Sequence, residues 1–311
     1  MDTLSNKTRC GVVAIVGRPN VGKSTLLNHL MGQDLAIVSQ KAQTTRDLIR
    51  GIYTEGDLQI VFTDTPGIHR AKEGGLNQAL VSRAEESLED PDLVWYLVDP
   101  HSDVEHERVV WASLMNASKA QVVLVWNKLD LKDRQYKQLA LRDRLLQNIK
   151  ETGISLVDEV AISAEKGNGV QSLLALTSSR LPEAPHLFLD PDQASERPLR
   201  FFAAELIRSE LYEQLEEELP YSAAVRIDTF KESEKPIRID ATIVVERDSQ
   251  KGMVIGKGGL KIKSIGSKAR KRIETLVGGK VYLGLRVDVL PKWTREKKHL
   301  EALGYHLPER G

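Results

Sequence analysis

Three short stretches of this 311-residue chain carry side chains spaced for phosphate and base chemistry: GRPNVGKST at 17–25, DTPG at 64–67 and NKLD at 127–130. The first has the form GxxxxGK[ST]. Its backbone, through Gly17, Arg18, Pro19, Asn20, Val21 and Gly22, can wrap phosphates, and a helix starting at its end adds a positive dipole. Lys23 reaches the β- and γ-phosphates, Ser24 offers a hydroxyl to Mg²⁺, and Thr25 follows in the first helical turn. In DTPG, Asp64 holds Mg²⁺ through its water shell. Thr65 and Pro66 lead to Gly67, which has no Cβ and lets the backbone approach the γ-phosphate.

NKLD names the base. Guanine presents N1–H and N2–H₂ side by side, and the carboxylate of Asp130 accepts both. Adenine has an acceptor at N1 and no amino group, and such a mismatch of buried polar groups is rejected by factors on the order of 10⁴. Asn127 suits the purine N7 and ties loops together, and the stem of Lys128 packs over the base. Further on, AISAEKGNG places Ser163 and Ala164 where their backbone N–H groups are expected to meet the guanine O6.

These loops need strands and helices to hold them. CGVVAIVG reads as a buried strand before the first loop and STLLNHLMG as the helix after it, the context that a phosphate loop requires. IVFTD and VVLVW are further apolar strands ending at the second and third motifs. Between them lies the polar SQKAQTTRDLIRG. A threonine there reaches Mg²⁺ when the γ-phosphate is present and so orders a switch loop. Thr45, directly before Arg46, is the expected residue, with Thr44 the neighbour that could take the role. Lys23, Thr45 and Gly67 are the expected catalytic elements; Ser24, Thr45 and Asp64 are the expected Mg²⁺ ligands.

Composition bounds the rest. Hydrophobic residues make up 41% and charged residues 28%, as in a globular soluble protein. The single cysteine, Cys10, excludes an intramolecular disulfide. MDTLSNKTRC has no long apolar core, so no signal peptide is expected, and apolar runs such as LVWYLV are too short to span a bilayer. The formal net charge of zero hides an asymmetry: residues 247–311 hold 16 Lys and Arg against 6 Asp and Glu, a net of +10 that leaves −10 for the remainder. A polyanion partner is expected for this basic C-terminal segment.

Inside that segment lies MVIGKGGLKIKSIG, a second glycine-rich loop. It lacks a preceding strand and a following Lys-Ser/Thr, so it carries no nucleotide fingerprint. The surrounding periodicities give α-β-β-α-loop-α-β, with Val225, Ile227 and Thr229 on one strand face and Ile262, Ile265, Ala269, Ile273 and Leu276 on a helix stripe. The first of the two helices flanking the loop is expected to be about a turn long. In a KH domain a GxxG loop clamps the backbone of about four nucleotides. Gly256, Lys257, Gly258 and Gly259 form such a loop here, and Lys261, Lys263, Lys268, Arg270 and Lys271 are the expected flanking RNA contacts. The proline-rich SSRLPEAPHLFLDPDQASERPLR reads as an interdomain linker.

The fold expected is an α/β P-loop GTPase domain, mostly parallel with helices on both faces, followed by an α+β KH domain of type II. The boundaries are 1–180 for the GTPase domain, 181–200 for the linker, 201–295 for the KH domain and 296–311 for a basic tail. With its TTRD, LPEAPHLF, AAELIRSELYEQLEEELPYS and KWTREKKHLEALGY stretches, the chain resembles, over nearly its whole length, the Era family of ribosome-assembly GTPases. That family shares a branch with tRNA-modification GTPases and a tandem GTPase.

The resemblance implies GTP hydrolysis to GDP, binding of small-subunit rRNA near its 3′ end, and a part in 30S maturation. It implies a cytoplasmic monomer; the basic end also fits weak peripheral contact with an anionic membrane face. In this branch an apolar residue, here Ile68, stands where Ras-like enzymes carry a catalytic Gln, so slow intrinsic turnover is expected; the adjoining loop residue His69 is read as solvated. Some members use K⁺ held partly by a P-loop asparagine, the position of Asn20, which also reads as a turn residue. A scaffold that binds nucleotide without turnover fits less well, since Lys23, Ser24, Thr45, Asp64, Asn127 and Asp130 are all intact. So does a membrane signalling GTPase, in which GxxG has no purpose.

Overall fold

The computed structural model describes residues 8–38, 45–67, 75–86, 90–99, 102–117, 120–131 and 135–305. Thr44, Ile68 and His69 lie outside the described residues, as do 306–311 of the expected tail. The chain divides into two compact units, one of Met1–Ala36, Thr45–Arg70 and Arg83–Glu196, the other of Ile37–Thr44, Ala71–Ser82 and Arg197–Gly311.

In the first unit, β1 (Arg9–Gly17), β3 (Leu58–Asp64), β4 (Leu93–Val98), β5 (Gln121–Trp126) and β6 (Leu156–Ala161) run parallel, and β2 (Ile49–Glu55) pairs antiparallel with β3 at the edge. The order is β2-β3-β1-β4-β5-β6. The helices are α1 (Lys23–Met31), the last turn of α2 (Gly75–Glu86), whose residues through Ser82 belong to the second unit, α3 (Val104–Ala117), α4 (Gln135–Thr152) and α5 (Val170–Arg180). The central strands are buried on both faces, which is why they read as unbroken apolar runs. Val94, Tyr96 and Val98 pack with Trp111 and Leu114 of α3 and Leu145 of α4. Trp95 points to the opposite face, where its indole N–H donates to Thr177 Oγ1 of α5 at 3.0 Å. Chain order reverses at β1: β2 and β3 lie to one side, β4 to β6 to the other. Ligands of such sheets bind at the carboxyl ends of the strands at this switch point.

The segment 181–196, expected as part of a linker, is fastened to the first unit. Thr8 and Ala184 exchange two hydrogen bonds, Cys10 N–H donates to Pro182 O, and Ile52 N–H donates to Ala194 O beside the edge strand β2. Gln59, fully buried on β3, holds the Phe188 backbone at both its N–H and its C=O, each at 2.9 Å. Proline-rich chain cannot form a ladder of its own, and here its remaining polar groups find partners on the sheet.

The second unit holds α6 (Leu199–Gln214), β7 (Ala224–Lys231), β8 (Ile237–Val245), α7 (Asp248–Ile255), α8 (Leu260–Val277), β9 (Val281–Val289) and α9 (Lys297–Ala302). Its sheet is β7-β8-β9, antiparallel then parallel, and gives the expected α-β-β-α-α-β order. Leu206, Ile207 and Leu211 of α6 and Ile265, Ala269 and Ile273 of α8 pack on Ile239, Ala241 and Ile243.

Three local expectations need correction. α7 has eight residues, about two turns rather than one. The β7 register shifts between Ile227 and Thr229, so Phe230, not Thr229, packs on the core. A bulge inserts one residue and flips the alternation. Part of the expected tail is folded: Leu300 and Tyr305 are buried in a second cluster with Trp293, Ala224, Val244 and Leu76, Ala79 and Leu80 of α2. The Trp293 indole N–H donates to Ser222 O at 2.9 Å.

Replacing Gln59 by Ala removes both bonds to Phe188. The expected cost is about 2 kcal/mol, that of losing two hydrogen bonds to partly buried backbone groups. It should appear as a lower urea midpoint together with faster solvent exchange of the Phe188 amide. An unmoved midpoint would show that the strap is held without Gln59.

Candidate functional site

The phosphate loop leaves the end of β1 and turns into α1 at Gly22. Gly22 sits at φ 104°, and a Cβ there would lie 2.2 Å from Asn127 Nδ2, so only glycine fits. The Asn127 side chain donates to Val21 O at 2.8 Å and accepts from Ala164 N–H at 2.9 Å. One amide therefore ties together the loops after β1, β5 and β6. Lys128 Nζ donates to the neighbouring carbonyl, Asn20 O, at 2.8 Å. Pro19 meets the DTPG loop: a Cβ on Gly67 would come within 2.6 Å of Pro19 N, which is the close approach that position requires.

Lys23 is buried, and its ammonium donates to Gly17 O and Arg18 O at 3.1 and 2.9 Å. Burial pulls its pKa down to about 8, against the pull of Asp64 and Glu107. It is a cation held at the mouth of the phosphate loop by carbonyls that a phosphate can replace.

Ser24, Thr45 and Asp64 converge. Ser24 Oγ lies 2.7 Å from Asp64 Oδ2 and 2.9 Å from Thr45 Oγ1, and Thr45 Oγ1 lies 3.4 Å from the same carboxylate oxygen. Asp64 is fully buried, which raises its carboxyl pKa, while Lys23, Ser24, Thr45 and the Thr65 N–H oppose the shift. Its Oδ1 has no hydrogen-bond partner among the described residues. An orphaned buried carboxylate oxygen beside two hydroxyls fits a small hard cation. Among the described residues there is no cluster of three His, Cys, Asp or Glu, so Mg²⁺ here would lean on hydroxyls, water and phosphate oxygens. Thr65 turns away, its hydroxyl donating to Ile15 O at 3.1 Å, and pins DTPG to β1.

At the base-recognition end, Ser163 Oγ donates to Asp130 Oδ1 at 2.7 Å and orients that carboxylate. Of the two amides expected at the guanine O6, Ser163 N–H donates to Asn168 O and Ala164 N–H to Asn127 Oδ1, each at 2.9 Å, which holds the loop in place beside Asp130.

In the second unit, α7 ends at Gly256 and α8 starts after Gly259, whose N–H donates to Gly256 O at 3.1 Å. Gly258 and Gly259 have φ of 59° and 75°, a tight turn that leaves Lys257 exposed. Met253 and Leu260, large apolar side chains on either side, are also exposed. Lys261 and Lys268, seven residues apart, share one flank of α8, and Lys263 and Arg270 the other. The Lys261 ammonium donates to Gln214 O, and Arg270 pairs with Glu274. Lys263, Lys268 and Lys271 are exposed and have no ion pair among the described residues.

Residues 12–128 match the family described as 50S ribosome-binding GTPase, and residues 218–294 match the KH domain family. A Pseudomonas putida protein named GTPase Era is 43% identical over 303 residues, which are 97% of this chain and 99% of that one. The chain belongs to the Era family of GTPases. A GTPase Era of Pseudomonas aeruginosa is 42% identical over 98% of this chain and 97% of its own. Among solved structures, a variant Era of Aquifex aeolicus bound to GDP and AlF₄⁻ superposes with a TM-score of 0.88 at 36% identity, covering 96% of this chain and all of the other. An Era in complex with MgGDPNP and nucleotides 1506–1542 of 16S rRNA superposes with a TM-score of 0.89, with the same identity and coverage. This Era-family chain is thus a GTPase domain followed by a KH domain.

Asp130→Asn tests the base assignment. Xanthine carries a carbonyl where guanine has N2–H₂, so the variant should prefer xanthosine triphosphate over GTP, with GTP affinity lower by roughly tenfold or more. Equal GTP affinity in variant and parent, measured by titration, would refute the assignment.

Proposed function

We propose that this Era-family GTPase binds small-subunit rRNA near its 3′ end through the Gly256–Gly259 loop and the lysines of α8, and acts in maturation of the 30S subunit. The observation that carries the reading is the presence, in one chain, of two glycine loops with different chemistry. The first gathers a lysine, two hydroxyls and a buried carboxylate. The second exposes Lys257 at the head of a helix whose Lys263, Lys268 and Lys271 lack ion pairs among the described residues. The relative solved with a 16S rRNA segment matches this chain over both loops, which supports a ribosomal RNA as ligand.

In this reading Ser24, Thr45 and Asp64 would hold Mg²⁺, which when bound would offset the negative charge of the phosphates. Lys23 steadies the charge that develops on the transferred phosphoryl group. Thr45 reports the γ-phosphate, since it joins the cation cluster from the segment preceding β2. Asn20, exposed in the loop, is the K⁺ ligand in this reading. The division keeps a GTPase domain over 1–180 and a KH domain over 201–295, with 181–196 fastened to the first and the tail folded with the second as far as Tyr305. A cytoplasmic monomer with weak peripheral contact at an anionic membrane completes the reading; no helix among the described residues is long and apolar enough to cross a membrane.

Two tests follow. Changing Lys257 and Gly258 together to Asp sets two carboxylates where an RNA backbone lies, and should reduce affinity for the 16S 3′ segment by roughly a hundredfold, at about 1–3 kcal/mol per lost contact. GTP affinity and unstimulated turnover should remain near the parent values. RNA binding at parental affinity in moderate salt would leave the loop as a turn. Separately, replacing K⁺ by Na⁺ at fixed ionic strength should slow GTP turnover, and Asn20→Ala should remove that sensitivity. Equal rates in both salts would take the K⁺ role from Asn20.

A further inference from the structure

We propose that Glu107 and Asp99, at either end of the connection between β4 and α3, are positioning residues for the phosphate loop, acting through Ser102–Arg18 and Lys128–Asn20. The inference rests on the GTPase reading and assigns the site a support that its motifs do not contain.

Glu107 is a fully buried carboxylate on α3. A charge so placed is costly unless its oxygens are engaged. Oε2 accepts the Tyr96 hydroxyl at 2.5 Å, and Oε1 accepts the Ser102 hydroxyl. Ser102 Oγ in turn accepts from Arg18 Nη1, at 3.0 Å, in the phosphate loop. The direction of each bond is fixed. A carboxylate can only accept, so Ser102 must turn its hydrogen to Glu107 and its lone pairs to Arg18.

The second limb begins four residues before Asp103. Asp99 Oδ2 pairs with Lys128 Nζ at 2.6 Å, and that ammonium donates to Asn20 O. Asn20 and Lys128 have φ of 62° and 67°, a left-handed backbone that side chains other than glycine hold only when the surroundings fix it. Ser102 N–H donates to Asp99 O at 2.7 Å and joins the two limbs. Arg18 and Asn20 are thereby held from one side, and between them stands Pro19, against which Gly67 packs. A displacement of the loop would move the phosphate cradle and the DTPG contact together. Errors of about 1 Å in such positioning cost up to a hundredfold in rate.

The test is a double-mutant cycle on the full chain, read as the release rate of a fluorescent GDP. Glu107→Gln leaves one hydroxyl without its acceptor and should speed release about tenfold, within the range of coupling between contacting residues. In an Arg18→Ala background the same change should alter release less than about twofold, because the path to the loop is already cut. Asp99→Asn should likewise speed release in the parent and lose its effect in Asn20→Gly, where glycine holds the positive φ unaided. Equal fold-changes in both backgrounds would show that these acids only support the fold, and an unchanged release rate in the parent background would overturn the brace outright. Failure of the parent to bind GDP would sink the nucleotide reading itself, a result separable from either.

Discussion

A buried carboxylate with one oxygen left over is the constraint from which the nucleotide half follows. Asp64 sits at the end of β3 with no exposure to solvent, and its Oδ2 is bonded while its Oδ1 has no partner among the described residues. Such a group is costly as a carboxylate unless a cation completes it, and burial accordingly raises its pKa. Everything near it serves that end. Lys23 supplies positive charge from the phosphate loop, and Ser24 and Thr45 bring hydroxyls from two other segments. The Thr65 hydroxyl, turned to Ile15, fixes the backbone that carries the acid. A site so arranged is complete only with metal and phosphate, as a nucleotide switch requires.

Rigidity around that constraint comes from side chains that tie loops to one another. Asn127 fastens the phosphate loop to the loop after β6, and Lys128 fastens it again one carbonyl earlier. Ser163 aims Asp130. The KH half solves a different problem. Its GxxG turn has left-handed backbone at Gly258 and Gly259 and keeps Lys257 in solvent, open to an extended polyanion rather than a chelated one. Two glycine loops in one chain thus differ in chemistry: the first gathers a buried lysine, two hydroxyls and a carboxylate, and the second presents an exposed lysine on a left-handed turn.

The motifs were legible because their spacing is dictated by the ligand. Gly17, Lys23 and Ser24 must stand where phosphates and Mg²⁺ need them, and Asp130 where a guanine edge needs it. The alternating strands and the apolar stripe of α8 were legible for the same kind of reason, since burial enforces a period. What escaped depends on partners distant in sequence. The bulge at Asp228 leaves no trace in an alternating run. Proline-rich chain at 181–196 reads as a spacer until Gln59 is seen to grip it. Glu107 reads as one more acid in the first turn of a helix, beside Glu105, and only its burial against Tyr96 and Ser102 separates the two.

The central claim is that Ser24, Thr45 and Asp64 form a Mg²⁺ site that senses the γ-phosphate. Its most direct test is the affinity of GDPNP and of GDP, measured by titration in Mg²⁺ and in EDTA, for the parent and for Thr45→Ala. The parent should bind GDPNP at least about tenfold more tightly with Mg²⁺, a difference of roughly 1.4 kcal/mol. The variant should lose most of that gain for GDPNP and little for GDP. Equal GDPNP affinity for the parent in Mg²⁺ and EDTA, or an equal loss for both nucleotides in the variant, would contradict the account.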